Sequence, residues 1–209
     1  GQQAVHRGRN VSSLSRANRT FPPVWLGLMP PLDASSAARE ALVGAAMETG
    51  TLIDVGRQPG LWGGGALRGS SVPLMLVLGT GNAVAADPEQ TANFVQGELI
   101  AAMSALGRTE FEVLFLSYPR ALEEDQLDAV FSVLEDARQE GLFRHLGLFA
   151  SGSALAAQGM WQFRDAFDLL LVRHNPLQHD AYDLLAPMAE ARRAEIVTCG
   201  ALDWGLGAS

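Results

Sequence analysis

His174, His179 and Asp180 come nearest to a metal-binding set, yet their interval does not share a helix face. Four scattered His and a single Cys match no zinc spacing, so no metal is expected. Cys199, the one cysteine, has no partner for an internal disulfide, and the fold therefore does not rest on oxidation. Gly79-Thr80-Gly81 follows a strand-like run, as a phosphate-cradling turn would. The third glycine position holds Val84, however, and the next helix opens only at Asp87, too late for its N-terminus to receive a phosphate. Turn glycines are the better account. A stronger statement lies in what is missing: the chain has 15 Arg and no Lys. Schiff-base chemistry, a phosphate-contacting P-loop lysine and a lysine general acid are thereby excluded, and Arg substitutes poorly because its pKa lies too high for proton exchange near neutrality.

The elements that must position any site alternate strand and helix. Apolar runs predict strands at Val24–Leu28, Thr51–Val55, Val72–Leu78, Phe111–Ser117, His145–Phe149, Asp168–Val172 and Ile196–Cys199. Between them, Ala37–Thr49 reads as a helix capped by Ser35 or Ser36 and closed by Gly50, and Asp87-Pro88-Glu89 opens another. Glu123–Glu140 carries Leu127, Val130, Phe131 and Leu134 at helical spacing, Tyr182–Arg193 contains Pro187, and Ala66-Leu67-Arg68 is short and helix-like. Strands that are apolar throughout, separated by helices, argue for buried parallel β-structure. A (β/α) barrel and a doubly wound sheet both satisfy the pattern.

Composition sets the limits. At 22.3 kDa the chain would expose about 9,400 Å² folded against about 32,000 Å² unfolded, enough burial for one domain or two small ones. Net charge is −8, but residues 1–32 hold Arg7, Arg9, Arg16 and Arg19 and no acid, leaving 11 Arg against 23 acidic residues elsewhere. An acidic body offers no footprint for nucleic acid or anionic lipid, so such contact is expected only through the basic arm, which could equally meet an acidic protein. No membrane span is expected, because the longest uncharged run, Gly69–Ala86, is broken by glycines, Pro73 and Asn82. An acid-free stretch rich in Arg and Ser resembles the remnant of an organellar transit peptide, although a short basic segment also carries little information by itself.

From Val24 onward the order of segments resembles an aldo-keto reductase. Ala41–Gly50 followed by Thr51-Leu52-Ile53-Asp54 is similar to that family's first helix, second strand and strand-end Asp, and Ala66-Leu67-Arg68-Gly69 to the end of its second helix. Ala105-Leu106-Gly107 before Phe111–Ser117, then Glu140–Leu148, Asp168–Asn175 and Leu184–Arg193 follow in the family's order. The resemblance implies an incomplete TIM-type (β/α) barrel of about seven strands spanning residues 24–209, with 1–23 as an arm. It also implies a tetrad of Asp, Tyr, Lys and His acting with NADPH. Asp54 stands at the Asp position, whereas Pro59 replaces Tyr, Leu78 or Gly79 replaces Lys, and Tyr118 replaces His. Tyr118 is the surviving hydroxyl able to act as an acid, though with no cation beside it a pKa near about 10 is expected. At the cofactor positions Phe149-Ala150 replace a Ser-Asn pair, Leu171 a Gln, and Cys199 a stacking aromatic, so no cofactor is expected. Asp54 by itself then reads as a strand-end hydrogen-bonding residue.

The function expected from these replacements is that of a degenerate, C-terminally truncated and non-catalytic member, no enzyme, serving as a structural or accessory subunit of a larger assembly, with the mitochondrion ahead of the cytoplasm as its location. An NADPH sensor or oxidoreductase of altered chemistry, using Asp54, Tyr118 and Cys199, is one alternative; a regulatory subunit of one catalytic partner is another. Arg7, Arg9, Arg16 and Arg19 and the apolar Leu202, Trp204 and Leu206 are the interface candidates.

Overall fold

A computed structural model describes residues 21–27, 35–63, 65–81, 87–118 and 120–199. All seven interface candidates lie outside the described residues. Within them, seven strands form one parallel sheet in sequence order: β1 (Leu26–Gly27), β2 (Ile53–Gly56), β3 (Leu74–Gly79), β4 (Phe111–Ser117), β5 (Phe143–Phe149), β6 (Leu169–Arg173) and β7 (Glu195–Cys199). Helices α1 (Ser36–Thr49), α2 (Pro88–Leu106), α3 (Glu124–Gln139), α4 (Ala154–Gln162) and α5 (Asp180–Ala191) connect them. The sheet curls into an incomplete (β/α) barrel.

Local chemistry explains the helix ends. Ser35 accepts the Ala38 N–H at 3.1 Å and Asp87 the Gln90 N–H at 2.7 Å, each satisfying a donor that its helix cannot. Glu123 and Gln126 form a reciprocal capping box before α3, while Gly50 and Gly107 close α1 and α2 in the left-handed conformation. Helix α4, capped by Ser153, had no counterpart among the expected elements. Ala66–Arg68 is a hydrogen-bonded turn, not a helix, with the Arg68 N–H on the Gly65 carbonyl and the Ser70 N–H on that of Leu67.

Alternation along the strands sorts their side chains into two layers. Ile53, Leu76, Leu114, Leu148 and Leu170 face the helices and pack with Val95, Leu99, Leu127 and Val130. Leu52, Met75, Val77, Val113, Phe115, Leu169 and Leu171 fill the inner face. Phe115 pairs across β4 and β5 with Gly147, and its ring takes the space that a side chain there would need. Phe21, assigned to the arm from sequence, belongs to this inner layer at 8% exposure, its ring edge-on to His145 at 4.9 Å.

Candidate functional site

Strand β2 carries Asp54, its second residue, on the inner side of the sheet, on the same face as Leu52 of the inner layer. Its neighbour in register is Gly27, where a Cβ would come within 3.4 Å of the Asp54 Cβ. The glycine leaves room for the carboxylate. One backbone donor serves it, the Gly56 N–H, while Oδ1 is buried and has no hydrogen-bond partner. Burial penalises the charged form more than that donor supports it, and the carboxyl is pushed up from 3.8 to about 6. The reading of Asp54 as a strand-end hydrogen-bonding residue is therefore incomplete, because its Oδ1 has no partner.

Asp54 opens on a cavity of about 640 Å³ between the two ends of the curled sheet, with Trp25, Met75, Leu171, Val197 and Cys199 among its walls. Cys199 faces inward near Asp54. Its thiol is pushed up, chiefly by burial, with Arg173 opposing and Asp54 adding to the rise. A protonated thiol of this kind is a weak nucleophile.

Tyr118 lies elsewhere. It is buried in the helix-facing layer, where its hydroxyl meets the Ser153 carbonyl at 3.3 Å and burial raises its pKa further. Ser117, one residue earlier, lies in register with Gly79 and Phe149. Leu78 likewise belongs to the helix-facing layer, and Gly79 pairs with Ser117. Pro59 begins a 3-10 turn, Pro59–Trp62. Phe149 and Leu171 are inner-layer residues and Ala150 is turned to the helices. His174 stacks on Tyr182 at 4.3 Å, whereas exposed His179 is hydrogen-bonded to Asp183 at 2.7 Å, which raises its pKa. Among the described residues no group of three metal-ligating side chains occurs, and no helix is long and apolar enough to cross a membrane.

One candidate residue was missed. The Arg57 guanidinium lies in the space over Gly79, so a cation reaches the end of β3 from the turn after β2 although the chain has no lysine. A glycine at an inward strand end, with an arginine shortly after the preceding strand, was the only available signal.

Solved structures with this arrangement are aldo-keto reductases. A protein from Pseudomonas aeruginosa described as an aldo-keto reductase superposes with a TM-score of 0.65 at 20% identity, over 92% of this chain and 78% of its own. The glycerol dehydrogenase from Gluconobacter oxydans gives 0.64 at 18% identity, over 89% and 62%. An aldo-keto reductase from Bacillus halodurans, in holo form, gives 0.60 at 14%, over 79% of this chain and 56% of its own length. No protein-family model and no curated protein matches the sequence. The fold is that of the aldo-keto reductases.

This finding corrects the expectation that the chain is no enzyme. The proteins sharing its fold are named as reductases and a dehydrogenase, which are enzymes, and the strand-end carboxylate is kept. The dinucleotide implied by the resemblance is a separate matter. Phe149, Ala150 and Leu171 put two apolar side chains and an outward methyl where a nicotinamide amide would need donors and acceptors, and these residues do not fit it.

Proposed function

We propose that the chain is an enzyme domain of aldo-keto reductase fold that transfers protons on a small carbonyl compound, with Asp54 as the acid–base group. The observation that carries this reading is the spare, buried Asp54 Oδ1 facing a cavity, on a carboxyl with a pKa of about 6. Such a group is mostly ionised at neutral pH and easily reprotonated, which suits a general base that returns its proton. Its carboxylate would take the proton from the carbon beside a carbonyl. The C–H electron pair becomes a C=C bond, and the carbonyl π pair moves to oxygen. Reprotonation at carbon reverses the step.

Exchange in deuterated water tests this. Dihydroxyacetone and short aldehydes incubated with the protein should incorporate deuterium next to the carbonyl, with a rate that rises through an inflection near pH 6 and falls at least about a hundredfold in Asp54→Asn. Exchange equal to the buffer blank over such a panel would overturn the reading.

The same domain is proposed to work within a larger protein assembly. Exposed Val24 at 64% and Leu177 at 67% support this, as does the contrast in charge between the basic residues 1–32 and the acidic remainder of the sequence. Organellar placement rests on the arm alone. Native purification with mass spectrometry tests both, and a single species recovered from cytosol would count against them.

A further inference from the structure

The acid–base reading leaves the cation at the end of β3 unused. Gly79 terminates β3 in register with Ser117. The place of a Cβ at residue 79 is surrounded by the Arg57 guanidinium, with Cζ at 2.9 Å and Nε at 3.5 Å, so any side chain there would displace it. The bare backbone is a seat for the guanidinium. Glu98 of α2 braces that seat, because its carboxylate accepts the Gly79 N–H at 3.3 Å and stands 3.9 Å from Arg57 Nη2. At that separation the ion pair is not a hydrogen bond. Among the described residues no acceptor takes a hydrogen bond from Arg57, whose side chain is 52% exposed. A planar fork with its donors free is suited to bind an oxyanion bidentately.

Arg57, Asp54 and Trp62 line one cavity of about 230 Å³. That is smaller than the roughly 300 Å³ at which ordinary ligand pockets begin, so its occupant is compact. The two charged residues are not paired with each other. Burial and the Gly56 N–H account for the state of Asp54, with no contribution from a cation.

We propose that Arg57 is an anion-binding residue, and that the cavity it shares with Asp54 takes a small molecule bearing a carboxylate or phosphate group. The guanidinium holds the anion and leaves the rest of the ligand toward Asp54. Only this last placement rests on the acid–base reading; the anion seat stands without it.

Calorimetry on the full chain with pyruvate, inorganic phosphate and neutral dihydroxyacetone tests the proposal. At least one anion should bind about tenfold or more tightly than dihydroxyacetone, weakening as salt is raised, and the tighter of the two assigns the class. Arg57→Gln should abolish that preference and Arg57→Lys should restore part of it. Gly79→Ala keeps the charge but removes its seat, and should weaken the anion by a similar factor. Where Gly79→Ala fails to fold, Arg57→Gln with a native circular dichroism spectrum decides alone. Asp54→Asn, which takes a carboxylate out of the shared cavity, should tighten anion binding by relieving like-charge repulsion while removing deuterium exchange. Equal affinity for anions and dihydroxyacetone, or wild-type anion affinity in Arg57→Gln, overturns the anion site. Lost exchange in the wild type overturns only the acid–base reading.

Discussion

Two aspartates at opposite ends of the strands are treated differently. Where the strands start, Asp168 takes a hydrogen bond from Arg138 at 3.0 Å and another from the Leu146 N–H at 3.2 Å, while Glu112 stands 3.8 Å from Arg144, too far for a hydrogen bond, and Arg138 Nε is buried without a partner. Phe21 covers His145 between these acids. On the opposite side Asp54 keeps an oxygen without a partner, and Arg57 stands 3.9 Å from Glu98 without a hydrogen bond among the described residues. Both ends use the same residue types. The contrast is between two aspartates: a carboxylate with its hydrogen bonds made, as in Asp168, contributes to stability, whereas the buried Asp54 oxygen left without a partner costs free energy that a ligand can recover.

Mutation can break this contrast. Phe21→Ala removes the cover at the starting end and should cost about 3–5 kcal/mol, read by denaturant unfolding; a loss under about 1 kcal/mol would show that the ring only rests on the surface. At the other end the sign reverses. The folded Asp54 pKa of about 6 lies above its reference of 3.8, so the folded state binds this proton more tightly and the group lowers stability as pH rises from about 4 to above 6. Asp54→Asn should therefore stabilise the chain by up to about 3 kcal/mol at pH 8 and by nothing at pH 4. Unchanged stability at pH 8 would mean that the carboxylate is better solvated than its burial implies.

Asp168→Ala should cost about 1–2 kcal/mol by stranding the Leu146 N–H and leave deuterium exchange untouched. Slowed exchange in that variant would couple the two ends and spoil the comparison. Tyr118→Phe has the smallest expected effect, about 0.5–1 kcal/mol for one long hydrogen bond, with no change in exchange at any pH. A shifted pH profile would place the phenol in the chemistry after all.

Much of the scaffold was legible because its signals are local. Phe111–Ser117 matches β4 residue for residue, and Ser35, Asp87, Gly50 and Gly107 mark helix ends through short-range hydrogen bonds and backbone preference. The site was less legible, and the reason is strand geometry. A shift of one residue turns a side chain from one face of a sheet to the other, so the alignment alone could not choose between Leu78 and Gly79, and it gave no sign that Tyr118 faces the helices while Ser117 pairs with Gly79. Phe21, with no periodic neighbour, gave no sign that it would join the inner layer.

The amino-acid sequence by itself determined the strand–helix alternation, the parallel sheet, the exclusion of lysine chemistry and the presence of a carboxylate in the second strand. These depend on periodicity, capping and residue type, which act over a few neighbouring residues. Only the tertiary structure decided that Asp54 loses water without gaining a full set of partners, that Tyr118 is walled off behind the sheet, and that Arg57 crosses to the space over Gly79. Burial, orientation across a sheet and the meeting of a side chain with a distant bare glycine arise from packing between elements far apart in the chain.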